Sequence, residues 1–313
     1  MTQPLTITLK TLTPLWTGGI DGTCDRLHET GLIGSLRWWY EALVRGLGGY
    51  ACDPTSEDRC PGRDGKHCVT CELFGCTGWS RKFRLSVAST PEIKNRAIAA
   101  QQSIQIQFVP LRSISEEEWC LLEATLRLIS EYGAIGGKTI FKPSDEHNHQ
   151  NQFHHQDFGL VEIIPPQGSW RCSITLDKIK AYIQSKQWRS GNAHNYSWVS
   201  IQHFWCVKGH YLARQNAQQS AYNRVLGRKE QKQQGQSLRN NDPSSRWLAG
   251  SQRESKKIFS FKHSAEKGRT FGFVNPSKPN YKEIQERLKA VWKTFTPQNE
   301  FITGEQIIQK LFA

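Results

Sequence analysis

The chain has 313 residues, 37% of them hydrophobic, which is length and apolar content for about two domains. Its formal net charge of +13 favours a polyanionic partner, because each neutralised phosphate releases condensed counterions. No stretch approaches the roughly 18 to 20 apolar residues of a membrane span, so neither a membrane-spanning helix nor a membrane partner is expected. The opening run MTQPLTITLK lacks the basic-then-apolar layout of a signal peptide, and the nine cysteines are an odd number. Both point to a reducing, cytoplasmic compartment in which the cysteines are free or metal-bound.

Leu5, Ile7 and Leu9 alternate with Thr6, Thr8 and Lys10, the period-2 pattern of a half-buried strand. A turn-rich run, Thr17–Gly22, follows. Leu32, Leu36, Trp39, Tyr40, Leu43 and Leu47 then recur at helical spacing as far as Gly48-Gly49. Residues 50–76 are rich in Cys, Gly, Pro and Asp and read as an inserted loop. Phe83, Leu85 and Val87 alternate again, as do Ile104, Ile106 and Phe108. Ser115 to Glu118 has the form of a capping box, opening a helix that carries Trp119, Leu122, Leu126 and Ile129 and stops at Gly133. Phe158–Ile164 reads as a closing strand. The order β-α-β-β-α-β predicts an α+β, ferredoxin-like domain over residues 1–165.

Over residues 166–313, Asp177–Gln187 and Pro279–Phe295 look helical, and Ile258–Phe261 and Thr270–Val274 look like strands. Thr303–Gln306 would cap a short terminal helix. A second domain of similar type fits. Residues 224–257 are Gln-, Arg- and Lys-rich with few apolar side chains, which predicts a mobile basic loop.

Cys52, Cys60, Cys68 and Cys71 lie in one Gly/Pro-rich segment, and Cys68-Val69-Thr70-Cys71 is a C-x-x-C pair. Four thiolates would complete a tetrahedral, structural zinc site, and a segment with so little apolar content needs such a staple. A flexible loop with incidental thiols is the plainer reading; Cys76 and His67 are substitute ligands.

On the first helix, Arg37, Glu41 and Arg45 are spaced four apart, with Trp38 beside them. They read equally as a solvated face with an i,i+4 pair and as an arginine row under an RNA backbone. Trp79, Arg81 and Lys82 follow a glycine just before a strand. Such aromatic–cation groups stack bases and hold phosphates in single-strand binders, although Trp79 reads equally as core. Gly133–Thr139 contains a Gly-Gly-Lys-Thr run, but its spacing is one residue short of a P-loop and no helix follows. Nucleotide hydrolysis is therefore set aside, while the N–H groups and Lys138 remain a candidate for an RNA phosphate. His147, His149, His154 and His155 lie in a Gln/Asn-rich excursion and read best as a solvated loop. His28 is a general base only if a partner exists. No catalytic constellation stands out, and a binding protein is expected.

Thr13–Gly19, Glu29–Glu41 (with its run Gly-Leu-Ile-Gly-Ser-Leu-Arg-Trp-Trp-Tyr), Cys71–Trp79 and Gly136–Thr139 occur in an order that resembles a known family. It is the first-subunit family of the Cmr complex, the type III-B CRISPR RNA-guided effector, within the RAMP superfamily. The resemblance is dense over residues 1–140 and thin beyond.

It implies two ferredoxin-like, RRM-related domains in a non-catalytic subunit at the head of the effector, near the 3′ end of the CRISPR RNA. There it would help capture target RNA in antiviral defence, with CRISPR RNA, target RNA and other RAMP subunits as partners. Carried over residue by residue, it points to Arg37, Trp38, Arg45, Trp79, Arg81, Lys82, Lys138 and Thr139 as RNA contacts. One departure is the stretch Ile140–Gln156, which separates Gly-Gly-Lys-Thr from Asp157-Phe158-Gly159. Two other readings stay open: a RAMP endoribonuclease using His28 or His154–His155, and a protein-only structural cap.

Overall fold

The structure, a computed structural model, describes residues 4–53, 56–89, 91–150, 152–164, 172–191, 197–216, 218–228, 242–251, 254–263, 268–275, 277 and 279–313. By their contacts these form two units, Met1–Gly137 with Gly159–Gln202 and Glu305–Ala313, and Lys138–Phe158 with His203–Gly304.

In the first unit, β1 (Leu5–Thr11) leads to α1 (Glu29–Gly46), the short α2 (Val69–Phe74), and strands β2 (Phe83–Val87) and β3 (Ser103–Pro110). Helix α3 (Glu116–Tyr132), strand β4 (Val161–Ile164) and helix α4 (Leu176–Ile183) complete it. The sheet order is β2-β3-β1-β4, with every pair antiparallel. Fourth, first, third, second is the strand order of the ferredoxin-like fold that the chain order predicts.

Register fixes the core face. Ile7 lies opposite Ile106 and Leu9 opposite Ile104, so the alternating apolar side chains of both strands bury together. Helices α1 and α3 pack against each other. The capping box forms as expected: Ser115 Oγ accepts from the Glu118 N–H at 3.3 Å, and Glu118 Oε2 accepts from the Ser115 N–H at 2.8 Å.

Two expectations change here. The inserted loop contains α2, begun at Cys68. Cys120 of α3 is joined to Cys172 by a disulfide, so these two cysteines are neither free nor metal-bound. That bond and the Gln184 amide on the Leu47 carbonyl at 3.2 Å hold residues 172–202 in the first unit, whereas the sequence reading divides the chain after residue 165.

The second unit repeats the plan. Its strands are β5 (Phe204–Lys208), β6 (Ile258–Phe261), β7 (Arg269–Phe273) and β8 (Phe301–Thr303), in the antiparallel order β6-β7-β5-β8. Helices α5 (Ala221–Val225) and α6 (Pro243–Ala249) lie between β5 and β6 in the chain, and α7 (Tyr281–Lys289) between β7 and β8. Trp205, Val207, Tyr222, Leu248, Ile258, Ile284 and Leu288 share its core.

The expected loop 224–257 is corrected at its C-terminal end. Asp242 caps α6 by accepting from the N–H groups of Ser244 and Ser245 at 3.4 and 2.9 Å, and Pro243 sits at the first helical position. Residues 229–241 of that loop lie outside the described residues. Among the described residues no helix is long and apolar enough to cross a membrane.

Candidate functional site

The cysteine-rich insertion packs against one face of α1. Cys52, Cys60, Cys68 and Cys71 are all buried, and their sulfur atoms lie within 4.8 Å of one another. Cys52 Sγ and Cys71 Sγ are 3.6 Å apart. A tetrahedral ion with metal–sulfur bonds of about 2.3 Å needs sulfurs separated by roughly 3.8 Å, so the donor set fits a metal ion of zinc's size.

The thiols also perturb one another. Hydrogen bonds from the Cys52, Cys68 and Cys71 thiols hold Cys60 far below the ordinary thiol range. Cys71 is driven far above it, chiefly by its hydrogen bond with Cys52. Among the described residues no other set of three metal-ligating side chains comes together.

The arginine row serves this cluster. Arg37 donates from Nη2 to Cys71 Sγ at 3.2 Å, from Nη1 to the Gly75 carbonyl at 2.9 Å, and from Nε to Glu41 at 2.9 Å. Burial alone would lower its pKa, but its interactions with Cys71 and Glu41 hold it above the ordinary guanidinium range. Arg45, with a side chain only 7% exposed, pairs with Glu41 at 3.6 Å. Its guanidinium donates to the carbonyls of Ala51, Cys52 and Val199 at 3.0, 3.4 and 3.2 Å. The four-residue spacing therefore brings one carboxylate between two cations that strap the insertion to the helix. Neither guanidinium lines an open face. Trp38, on the adjacent position, is partly exposed and meets Trp39 edge-on at 4.9 Å.

Sequence reasoning missed Arg189, which reaches the same cluster from beyond α4. It pairs with Asp58 at 2.5 Å, donates to the Arg59 carbonyl at 2.8 Å and lies 3.8 Å from Cys60 Sγ. A separation of 129 residues from Cys60 leaves no local pattern to find it by. Beside it is an open cleft of about 470 Å³ lined by Arg63, Lys66, Lys186, Trp188 and Arg189, with Asp64 the one carboxylate of the lining.

Trp79 and Lys82 are also turned inward. The Trp79 ring is engaged by His67, stacked at 4.6 Å, and by the Arg112 guanidinium at 4.1 Å. Its indole N–H donates to the Glu72 carbonyl. Lys82 Nζ bridges Glu72 at 2.5 Å and the fully buried Glu118 at 2.9 Å. Of this group only Arg81 makes no hydrogen bond or ion pair among the described residues.

The glycine run is packing backbone. A Cβ on Gly137 would sit 2.4 Å from the Trp16 ring, and Gly136 takes φ +86° beside the Trp16 carbonyl. The N–H groups of Ile135, Gly136 and Gly137 donate to the Gly159 carbonyl, Ser35 Oγ and the Trp16 carbonyl at 2.8, 3.0 and 2.8 Å. That occupation corrects the expectation of a phosphate cradle there. Lys138 and Thr139 open the second unit's share of the chain, with Lys138 at φ +64° and its ammonium 5.6 Å from the Phe141 ring centre. His28 does have a partner, Asp25 at 2.8 Å, and its side chain is 12% exposed.

Residues 8–141 match the model of the RAMP superfamily. No curated protein matches the chain in sequence. Among solved structures, the chain is similar to Cmr1 from Pyrococcus furiosus in its apo form, at 11% identity and TM-score 0.45, with 99% of this chain and 97% of that one covered. It is similar to a chain of the type III-B Cmr-beta complex bound to cognate target RNA and AMPPnP in the presence of ssDNA. That match has 10% identity and TM-score 0.46, covering 92% of this chain and 98% of that one. A second Cmr-beta structure, bound to cognate target RNA, gives 10% identity and TM-score 0.43 over 92% and 99% of the two chains.

Proposed function

We propose that this chain is a non-catalytic, RNA-holding subunit of a type III-B CRISPR effector. It sits at the head of a cytoplasmic Cmr complex, near the 3′ end of the CRISPR RNA, and helps to capture target RNA beside other RAMP subunits. The observation that carries this reading is the RAMP-superfamily segment, residues 8–141, which contains the four motif runs Thr13–Gly19, Glu29–Glu41, Cys71–Trp79 and Gly136–Thr139. The net charge of +13 supports a polyanionic partner.

Of the expected contacts, Trp38 and Arg81 meet RNA from the first unit, joined by the cleft cations Arg63, Lys66 and Lys186. Lys138 and Thr139 do so from the second. Arg37, Arg45, Trp79 and Lys82 keep the shape of the surface, since their polar groups or ring faces have partners inside the protein. The ion of the four-cysteine cluster is zinc, and its role is structural, because four protein ligands leave no position for a substrate.

The test is RNA crosslinking with mass-spectrometric mapping on the chain assembled with guide-bound partners and target. Crosslinks at Trp38, Arg81 and the cleft are expected, and Arg81→Glu with Lys66→Glu should weaken target capture several-fold while the chain stays folded and assembled. An assembled subunit with no crosslinks would sink the RNA-holding role and leave the structural cap. The His28–Asp25 pair favours one other reading, a RAMP endoribonuclease. Metal-independent RNA cleavage by the isolated chain, lost in His28→Ala, would establish that reading instead.

A further inference from the structure

The stretch Ile140–Gln156, which departs from the family pattern, brings Lys142 to a place where cations gather. Lys142 Nζ lies 5.5 Å from the centre of the Tyr222 ring, and Lys256 Nζ lies 5.9 Å from the same centre. Tyr222 is fully buried and its hydroxyl donates to the Ile258 carbonyl, so the ring is a fixed platform. Both lysine side chains are half-buried, and among the described residues neither has a carboxylate partner. Lys142 donates to the neutral Asn223 Oδ1 at 2.6 Å, and Lys256 to the Ile140 carbonyl at 3.1 Å. Neither forms an ion pair among the described residues.

The nearby charges do not compensate. Among the described residues, the charges that act on Lys142 are all positive, from Lys256, Arg228 and Arg214. Cations removed from water without a counter-charge are costly, and an anion that accepts from both at once removes the cost. We propose that Lys142 and Lys256, gathered at the Tyr222 ring, form a site for a phosphate group. On the RNA-holding reading, which this inference rests on only for the source of the phosphate, that group belongs to an RNA backbone. Phosphate fits because its several oxygens take hydrogen bonds from two separate ammonium groups, each a compact point charge with three donors. Titration agrees with the geometry: burial, helped by Lys256, Arg228 and Arg214, pulls Lys142 down to about 7. Burial, with Arg228, takes Lys256 to about 8.

The experiment uses the full chain, wild type and Lys142→Gln/Lys256→Gln, with Lys256→Gln alone as a milder variant. Thermal melting is followed in inorganic phosphate and in chloride at matched ionic strength, and binding to a 15-nucleotide oligouridylate is titrated against salt. Phosphate should raise the wild-type melting temperature and leave the double variant unmoved, while in chloride the double variant should melt higher than wild type. Oligouridylate affinity should fall about tenfold, and the slope of log affinity against log salt should shrink by about 0.7 for the lost contact. Equal phosphate response and equal salt slope in the folded variants and wild type would overturn the site. A wild type that binds no oligouridylate, yet is stabilised by phosphate only when both lysines are present, assigns the site to free phosphate. That last result removes the RNA-holding reading and keeps the site.

Discussion

Around the cysteine-rich insertion, four inward-turned cations have anionic partners, while Arg112 lies on the Trp79 ring. Arg37 and Arg45 share Glu41, Lys82 has Glu72 and Glu118, and Arg189 has Asp58. In the second unit the half-buried Lys142 and Lys256 have no carboxylate partner among the described residues, and they donate to an amide oxygen and a backbone carbonyl. The first region is complete in itself once a metal occupies the sulfur cluster, and its cations serve structure. Among the described residues the second carries positive charge without a counter-charge, which is the condition of a surface that receives an anion. Counting basic residues does not separate these two uses; their partners do.

Removing the metal should break the first region most severely. Binding free energy at structural zinc sites is on the order of 10–16 kcal/mol and acts as folding free energy. Metal analysis of the purified chain should find zinc, and a strong chelator or Cys71→Ser should expose residues 50–76 to protease. Arg37→Gln, which removes the N–H···S contact to Cys71, should weaken metal affinity by about 10- to 100-fold as other outer-shell changes do. A metal-free chain with unchanged protease resistance would show that the arginine straps alone order the insertion.

Next in size is Lys82→Met. It leaves Glu118, whose side chain is fully buried, without its cation, and should cost about 3–5 kcal/mol in a denaturant titration. Replacing Glu118 by Gln as well should recover part of that loss, because the fully buried charge is gone and Glu72 keeps His67 at 2.5 Å. A single variant within 1 kcal/mol of wild type (roughly the scale of a surface pair) would mean that Lys82 is solvated and open to RNA after all.

The contrast also explains what was legible in the sequence. The first sheet could be read because its strands bury one face only, so that Ile7, Leu9, Ile104 and Ile106 alternate with polar residues. Strand β5 carries no such signal: Phe204, Trp205, Cys206 and Val207 are all buried, and period 2 vanishes. Helix α6 lay concealed in a Gln-rich stretch because its marks, Asp242 and Pro243, are those of a helix start and not of an apolar stripe.

At the site, the four cysteines were found by type and spacing, and Arg37 and Arg45 by period. Their partners were not, because Cys71 and Gly75 come to Arg37 across 34 and 38 residues. The Cys120–Cys172 bond and the Lys142–Lys256 pair, separated by comparable or longer stretches, have no local signature either.

The smallest effect separates the two regions most directly, through pH. Lys142 and Lys256 titrate at about 7 and about 8 in the folded chain, below the ordinary lysine value of about 10.4. Between those limits the unfolded chain binds more protons at these groups than the folded one, so their contribution to stability rises with pH. The opposite trend comes from Cys206, which burial pushes up to about 11: its contribution falls as pH passes the ordinary thiol value. Denaturant titrations in chloride at pH 7.0 and 8.5 therefore keep largely below that opposing range. Wild type should gain on the order of 1 kcal/mol over this interval relative to Lys142→Gln/Lys256→Gln. Taking the difference cancels the thiols and tyrosines common to both chains, and adding phosphate should flatten it, because a bound anion restores the protonated lysines. A difference that is flat in chloride would mean that the two ammonium groups are already compensated, and the distinction between the regions would close.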